Sequence, residues 1–80
     1  MAEVASPVRT LDCTGMACPL PVIKTSQAIK GIEVGEVLEL LATDPGVDPD
    51  MHAWSSRTGH ELLGIERRGD VFHVLLRRAK

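Results

Sequence analysis

Residues 16–21 read Met-Ala-Cys-Pro-Leu-Pro, and the rest of this 80-residue chain can be interpreted outward from them. Pro19 and Pro21 follow Cys18 closely, and a helical pattern comes directly after them. Proline fixes φ near the helical value and has no N–H, so both prolines fit the first turn of a helix. Cys18 would then occupy the helix N-cap, where the positive end of the helix dipole favours thiolate over thiol. The stretch therefore predicts a reactive cysteine at the start of a helix.

The same prolines limit how far the pKa of Cys18 should fall. Each removes a backbone donor, which leaves only the amides of Leu20 and Val22 to bond the sulfur in that turn. We therefore expect a modestly lowered pKa and a sulfur that is held rigidly at the surface. The alternative is a small buried hydrophobe that happens to precede a helix, since free cysteine is often buried. Local chemistry alone leaves these two interpretations open.

Length and composition indicate one domain near the lower size limit for a self-sufficient core. The apolar fraction is 44% and the charged fraction is 25%, and both are ordinary values for a globular protein. Trp54 and Phe72 are the only aromatic residues, so the core must be aliphatic. The net charge of −2 gives no general reason to expect binding to nucleic acid or to an anionic membrane.

The sequence also favours a particular compartment. No run reaches the roughly 18 apolar residues that a membrane span needs, and residues 1–7 contain no apolar stretch typical of a secretory signal. We therefore expect a cytoplasmic protein. In that reducing compartment Cys13 and Cys18 should be free thiols rather than a structural disulfide. We also expect a monomer.

Periodicity predicts the order of the elements. A flexible N-terminal tail over residues 1–7 precedes a single domain over 8–80. Within this domain we predict a strand over 8–12, a helix from Pro19 to about Gly31, and a strand over 36–42. A second helix starts between Val47 and Asp50 and ends at Thr58-Gly59. Two strands follow, over 60–66 and 71–78, and a hairpin at 67–70 joins them. The first strand–helix–strand unit implies a parallel pair, and two helices can cover only one face of four strands. The prediction is an α+β fold, a two-layer α/β sandwich of βαβαββ order with a mixed sheet.

The uncovered face of that sheet has its own pattern. Alternation places Val37, Leu41, Val71 and Leu75 there among polar residues. Such a surface could be a docking or dimer face, or it could carry only the scattered apolar residues that most surfaces have.

Three segments of the chain resemble a known family. Residues 11–21 are similar to the segment that leads into the first helix of the TusA/SirA/YedF group of small sulfur carriers, with its Leu-Asp-x-x-Gly followed by Cys-Pro-x-Pro. The resemblance continues through Ala-Thr-Asp-Pro at 42–45 and Trp-Ser-Ser-Arg-Thr-Gly-His-Glu-Leu at 54–62, and it covers about residues 9–78. The family fold is a βαβαββ two-layer sandwich, which agrees with the independent prediction above.

The resemblance also implies a chemistry. The cysteine of the Cys-Pro-x-Pro motif, here Cys18, accepts a sulfane sulfur as a persulfide and passes it to a partner protein. No cofactor other than this covalent sulfur is implied. The donors are cysteine desulfurases or rhodanese-like proteins, and the sulfur leaves toward tRNA thiolation, molybdenum-cofactor biosynthesis or oxidative sulfur metabolism. A thiolate is needed to attack a donor persulfide, and the resulting persulfide must be open to the next thiol.

Other side chains are weaker candidates. Cys13 could resolve a persulfide on Cys18 as a disulfide, but a structural role is favoured. Lys24 could stabilise the thiolate if its side chain points toward Cys18. The histidines at 52, 60 and 73 match no zinc spacing, so we predict no metal site.

The distribution of charge suggests partners. Residues 33–50 carry six acids and no base, while six of the nine bases are Arg57 and the five in 67–80. One hypothesis is that Arg67 and Arg68 steer an acidic protein partner. The alternatives to a sulfur carrier are an RNA-binding module that uses the basic C-terminus, and a regulatory interaction module with an inert cysteine. The acidic net charge and the lack of aromatic stacking platforms count against RNA.

Overall fold

Four strands and two helices follow one another in the predicted βαβαββ order. The computed structural model describes residues 6–80, so most of the tail predicted over 1–7 lies outside the described residues. The elements are β1 (Arg9–Cys13), α1 (Leu20–Ala28) with a 3₁₀ turn (Ile29–Gly31), β2 (Val37–Ala42), α2 (Val47–Thr58), β3 (Glu61–Arg68) and β4 (Val71–Arg77). The α+β class, the mixed four-stranded sheet and the two helices are therefore confirmed.

The strands are ordered β1-β2-β4-β3 across the sheet. β1 and β2 are parallel, whereas β2–β4 and β4–β3 are antiparallel. The register pairs Cys13 with Ala42, Ala42 with Phe72, and Phe72 with Arg67. The ends of β1 and β2 and the β3–β4 hairpin consequently meet at one edge of the sheet, which we call the loop edge. Both helices begin at this edge because each follows a parallel strand.

One face of the sheet packs against the helices. Leu38, Leu40, Val74 and Leu76 alternate toward that face and are fully buried, as is Trp54 of α2. Removing such side chains from water is the main stabilising contribution to a small fold. The Trp54 Nε1–H also donates to Ser26 Oγ at 2.8 Å, which joins α2 to α1. This packing fixes the starts of the two helices relative to each other.

The helix ends follow the predicted signals. α1 tightens into its 3₁₀ turn and stops at Gly31, and α2 ends at Gly59, whose φ of 84° lies in the left-handed region. The hairpin is tighter than predicted, because β3 continues to Arg68 and leaves only Gly69 and Asp70 in the turn. Gly69 allows this with a φ of 61°. Neither helix in residues 6–80 is long and apolar enough to cross a membrane.

The open face of the sheet carries apolar residues among polar ones, as alternation predicts. Leu41, Val71 and Leu75 are half-buried there, whereas Val37, at the start of β2, is only 5% exposed. The centre of the face is polar, since Glu39 accepts from Thr10 Oγ1 at 3.2 Å and lies 3.2 Å from His73 Nδ1. Leu41 beside them is only half-buried. Polar and apolar side chains therefore interleave across this face.

Candidate functional site

Cys18 lies on the loop between β1 and α1, at the loop edge of the sheet. The loop is held by hydrogen bonds at its start: Thr14 donates to Asp12 from both its backbone N–H and its hydroxyl, at 3.0 and 2.7 Å. The Gly15 N–H donates to Thr43 Oγ1 at 2.9 Å, which ties the loop to the end of β2. These bonds deliver an exposed Cys18 to a defined place beside the second helix.

The position of Cys18 relative to α1 differs from the prediction. Pro19 is the N-cap, α1 starts at Leu20, and Cys18 lies one residue further out, joined to Pro19 by a cis peptide bond. The two amides expected to face the sulfur are used elsewhere: Leu20 N–H donates to the Ala17 carbonyl at 3.0 Å and Val22 N–H to the Pro19 carbonyl at 3.1 Å. Pro21 lies in the first turn as predicted, whereas Pro19 lies just outside it at the N-cap, and the turn offers the sulfur no donor.

The groups that do contact Cys18 are acidic. Its backbone N–H donates to Asp44 Oδ2 at 2.9 Å, and its Sγ–H donates to the carboxylate of Asp50 in the first turns of α2. The hydrogen bond to Asp50, desolvation, and the negative charges of Asp50 and Asp44 raise the pKa of Cys18 to about 11. The expectation of a lowered pKa was therefore wrong, since the hydrogen bond to Asp50, the loss of hydration and the neighbouring carboxylates all favour the neutral thiol.

Asp44 is itself held as an anion. One carboxylate oxygen accepts from Cys18 N–H, and the other accepts from the Gly46 N–H at 2.8 Å. These two backbone donors hold the pKa of Asp44 below its usual value. Gly46 also brings its backbone close to the sulfur, because a Cβ there would lie 3.8 Å from Cys18 Sγ. The loop after β2 thus forms one wall of the site.

A shallow groove between the two helices forms the other side. It has a volume of about 320 Å³ and is lined by Pro19, Val22, Ile23, Asp50, Ala53 and Arg57. Ile23, on the α1 side of the groove, is about half exposed, at 48%. The side chain of Cys18 is therefore at the border of an open, partly apolar surface that another protein could cover.

The structure separates the two accessory candidates from Cys18. Cys13 is fully buried in the core, and burial raises the pKa of its thiol. Lys24 lines a different groove, with Arg9 and Leu11 of β1, and its charge acts on Cys13 rather than on Cys18. The structure therefore brings neither residue into contact with the exposed sulfur.

The hairpin arginines lie at the loop edge but make local contacts. The Arg67 guanidinium lies 5.5 Å from the centre of the Phe72 ring, and its Nε donates to the Gly69 carbonyl. Arg68 forms an ion pair with Glu66 at 2.7 Å. Both side chains are exposed, so their charges face solvent at the same edge as Cys18.

The three histidines occupy separate places. His52 pairs with Asp48 on α2 at 3.3 Å, and His73 pairs with Glu39 on the open face of the sheet. His60 stacks on Trp54 with 5.4 Å between ring centres. None of them is among the residues that contact Cys18.

Sequence reasoning missed Asp44, Gly46 and Asp50. A signal for them existed: in a parallel βαβα arrangement, the segments after β1 and β2 reach the same edge. The acids at 44–50 could therefore have been placed beside Cys18, although Asp50 is 32 positions away in the chain.

Comparison with known proteins identifies one family. The sequence model described as "Sulfurtransferase TusA" matches residues 9–78. The chain is 36% identical over 69 residues to the sulfur carrier protein TusA of Allochromatium vinosum, covering 86% of this chain and 91% of that protein. It is 47% identical over 68 residues to YrkF of Bacillus subtilis, covering 85% of this chain but 37% of YrkF. This chain thus spans little more than a third of that longer relative.

A solved structure has the same fold. The SirA-like protein of Desulfitobacterium hafniense superposes with a TM-score of 0.76 at 23% sequence identity, over 90% of this chain and 99% of that one. At this identity the likeness supports the architecture described above.

Proposed function

The chain belongs to the sulfurtransferase TusA family of sulfur carriers, and we propose that it takes up a sulfane sulfur on Cys18 as a persulfide and relays it to a partner protein. One observation supports this most: the Cys18 side chain is exposed at the border of an open groove, on a loop fixed by hydrogen bonds. A sulfur in a deep pocket could not meet two different protein thiols in turn.

Both halves of the relay are thiol exchanges without net oxidation. In uptake, the Cys18 sulfur attacks the outer sulfur of a donor persulfide, R–S–SH. A new S–S bond forms, the old S–S bond breaks, and the electron pair leaves on the donor sulfur. The proton lost by Cys18 ends on that donor, which departs as a thiol. Delivery reverses these roles: an acceptor thiol attacks the outer sulfur of Cys18–S–SH, and Cys18 leaves as the thiol.

The proposal includes the partners that the family resemblance implies. The donor is a cysteine desulfurase or a rhodanese-like protein, and the acceptor belongs to tRNA thiolation, molybdenum-cofactor biosynthesis or oxidative sulfur metabolism. The protein is a sulfurtransferase that acts as a persulfide relay in the cytoplasm. Both cysteines are free thiols in the structure, which is compatible with a reducing compartment.

Two cysteine variants test this proposal. Cys18→Ser should abolish uptake of radiolabelled sulfur from a cysteine desulfurase supplied with labelled cysteine, because a hydroxyl cannot form a persulfide. Cys13→Ala is the matched control and should retain uptake, since Cys13 has no access to solvent. Circular dichroism of both variants checks that the fold is intact. Labelling of folded Cys18→Ser at the wild-type level would contradict the proposal.

A further inference from the structure

Asp50 of α2 accepts a hydrogen bond from the reacting atom, Cys18 Sγ. Its carboxylate accepts the hydrogen bond from Cys18 Sγ, whereas Asp48, two positions earlier, pairs with His52 instead. Hydrogen bonding of a thiol to a carboxylate favours the neutral form, because the thiolate would repel that charge. The arrangement is the reverse of the one that activates a nucleophilic cysteine, in which a cation or a helix N-terminus lies beside the sulfur.

Among the described residues, no Lys or Arg side chain lies close enough to Cys18 to offset the negative charge of Asp50. Lys24 faces β1, and Arg57 lines the same groove as Asp50 but forms no ion pair with it. Asp44, which accepts from the Cys18 N–H, adds a second negative charge. Every charged group that touches the Cys18 residue is therefore an acid.

Building on the proposed function, we infer that Asp50 is a specificity-determining residue of the relay. Its contact with Sγ holds Cys18 as an unreactive thiol, and its charge discriminates between co-reactants by the sign of the charge around their own sulfur. A negatively charged persulfide or disulfide is repelled from Cys18. A co-reactant that brings a positive charge to the Asp50 carboxylate screens it, frees the sulfur and is attacked.

The chemistry of this selection is ordinary thiol exchange. With a disulfide R–S–S–R, the Cys18 sulfur attacks one sulfur, a mixed disulfide forms, and R–S⁻ leaves with the bonding electron pair. The thiol proton of Cys18 passes to solvent or to the leaving thiolate. The same balance holds for a persulfide donor, so small disulfides can report on the selection.

The first experiment compares Asp50→Asn with Asp48→Asn, which removes the same charge from the same helix without touching Cys18. The readout is the rate at which iodoacetamide alkylates Cys18 at pH 8, followed by mass mapping of the peptide that contains it. The hydrogen bond to Asp50 is the largest cause of a Cys18 pKa of about 11 instead of 9.0, and desolvation and Asp44 remain in the variant. Releasing the thiol from Asp50 should raise its thiolate fraction by on the order of tenfold, and the lower nucleophilicity of a less basic thiolate leaves a gain of about threefold in the alkylation rate.

The outcomes of that comparison are distinct. Faster alkylation of Asp50→Asn, with Asp48→Asn close to wild type, supports the inference. Equal rates in all three proteins would overturn it, as would equal acceleration by both variants. Should Asp50→Asn fail to fold, titration of the Cys18 thiolate in the wild-type chain decides instead, because a midpoint at or below 9 would contradict the role given to Asp50.

The second experiment measures selection by charge. Wild type and both variants react with cystamine, which carries two ammonium groups, and with dithiodipropionate, which carries two carboxylates. The ratio of the two rates should be largest in wild type at low salt, fall on raising the salt concentration, and fall in Asp50→Asn but much less in Asp48→Asn. A ratio unchanged by Asp50→Asn would overturn the inference.

Failure of the relay itself would look different. If the wild type never gains sulfur from any persulfide donor, the proposed function is wrong, whatever the alkylation rates are. If sulfur is gained on Cys18 but neither rate nor charge preference depends on Asp50, the relay stands and the role of Asp50 is wrong.

Discussion

Cys13 and Cys18 are five positions apart in the chain and lie in opposite environments. Cys13 is the last residue of β1, on the face that packs against the helices, and it is fully buried. Cys18 lies beyond the turn that follows, on the outer surface. The same side chain is thus a packing group at one position and an exposed thiol at the other.

This difference predicts selective labelling of the folded protein. Iodoacetamide should modify Cys18 while Cys13 stays unmodified, because Cys13 has no exposed surface and burial raises the pKa of its thiol. Peptide mapping by mass spectrometry reads both sites, and labelling in denaturant, where both should react, is the control. Equal modification of the two cysteines in the folded chain would contradict the core placement of Cys13.

The sequence could predict that Cys18 lies near the start of a helix, but it could not predict the acidity of its thiol. The prolines around Cys18 indicate a fixed position at the start of a helix, and this is confirmed apart from a shift of one residue from the N-cap. The pKa depends on Asp50, which reaches the sulfur only through the packing of α2 beside α1. Tertiary contacts of that kind are not encoded in local spacing.

At the scale of elements, two loops and the hairpin lie together at the loop edge of the sheet. The β1–α1 loop holds Cys18, the β2–α2 loop holds Asp44, and the β3–β4 hairpin holds Arg67. Turn signals such as Gly59 and the Gly69-Asp70 pair allowed most element ends to be predicted within two residues. The predicted end of β3 at residue 66 was two residues short, since its ladder with β4 continues to Arg68.

The hairpin gives a prediction about docking. Reversing both charges, with Arg67→Glu and Arg68→Glu together, should slow sulfur uptake from an acidic donor protein by on the order of tenfold at low salt. The effect should shrink at high salt, because the arginines act at long range through solvent. Stopped-flow or quenched-flow uptake rates at two salt concentrations measure it.

Lys30→Glu is the control for that experiment. Lys30 is exposed and lies in the 3₁₀ turn at the far end of α1, away from the loop edge, so its reversal should change uptake little. If the hairpin double variant and Lys30→Glu behave alike, or if the salt dependence is unchanged, the hairpin does not steer the donor.

At the scale of the whole molecule, the parallel pairing of β1 and β2 accounts for the site. It places the starts of both helices side by side, so an acid in the first turns of α2 meets a cysteine just ahead of α1. The fold class followed from the sequence because alternation, turn residues and helix periodicity all agree. The burial of Val37 did not follow from the sequence, since this side chain is covered although it points away from the helices.

The intact mass of the folded chain tests the central claim most directly. The chain is incubated with a cysteine desulfurase and cysteine, and its intact mass is measured by mass spectrometry. The mass is measured again after treatment with an excess of an acceptor thiol. The account predicts a gain of one sulfur atom, located on the peptide that contains Cys18, and its loss when the acceptor is added. A mass that never changes, or a sulfur found only on the peptide of Cys13, would contradict the account.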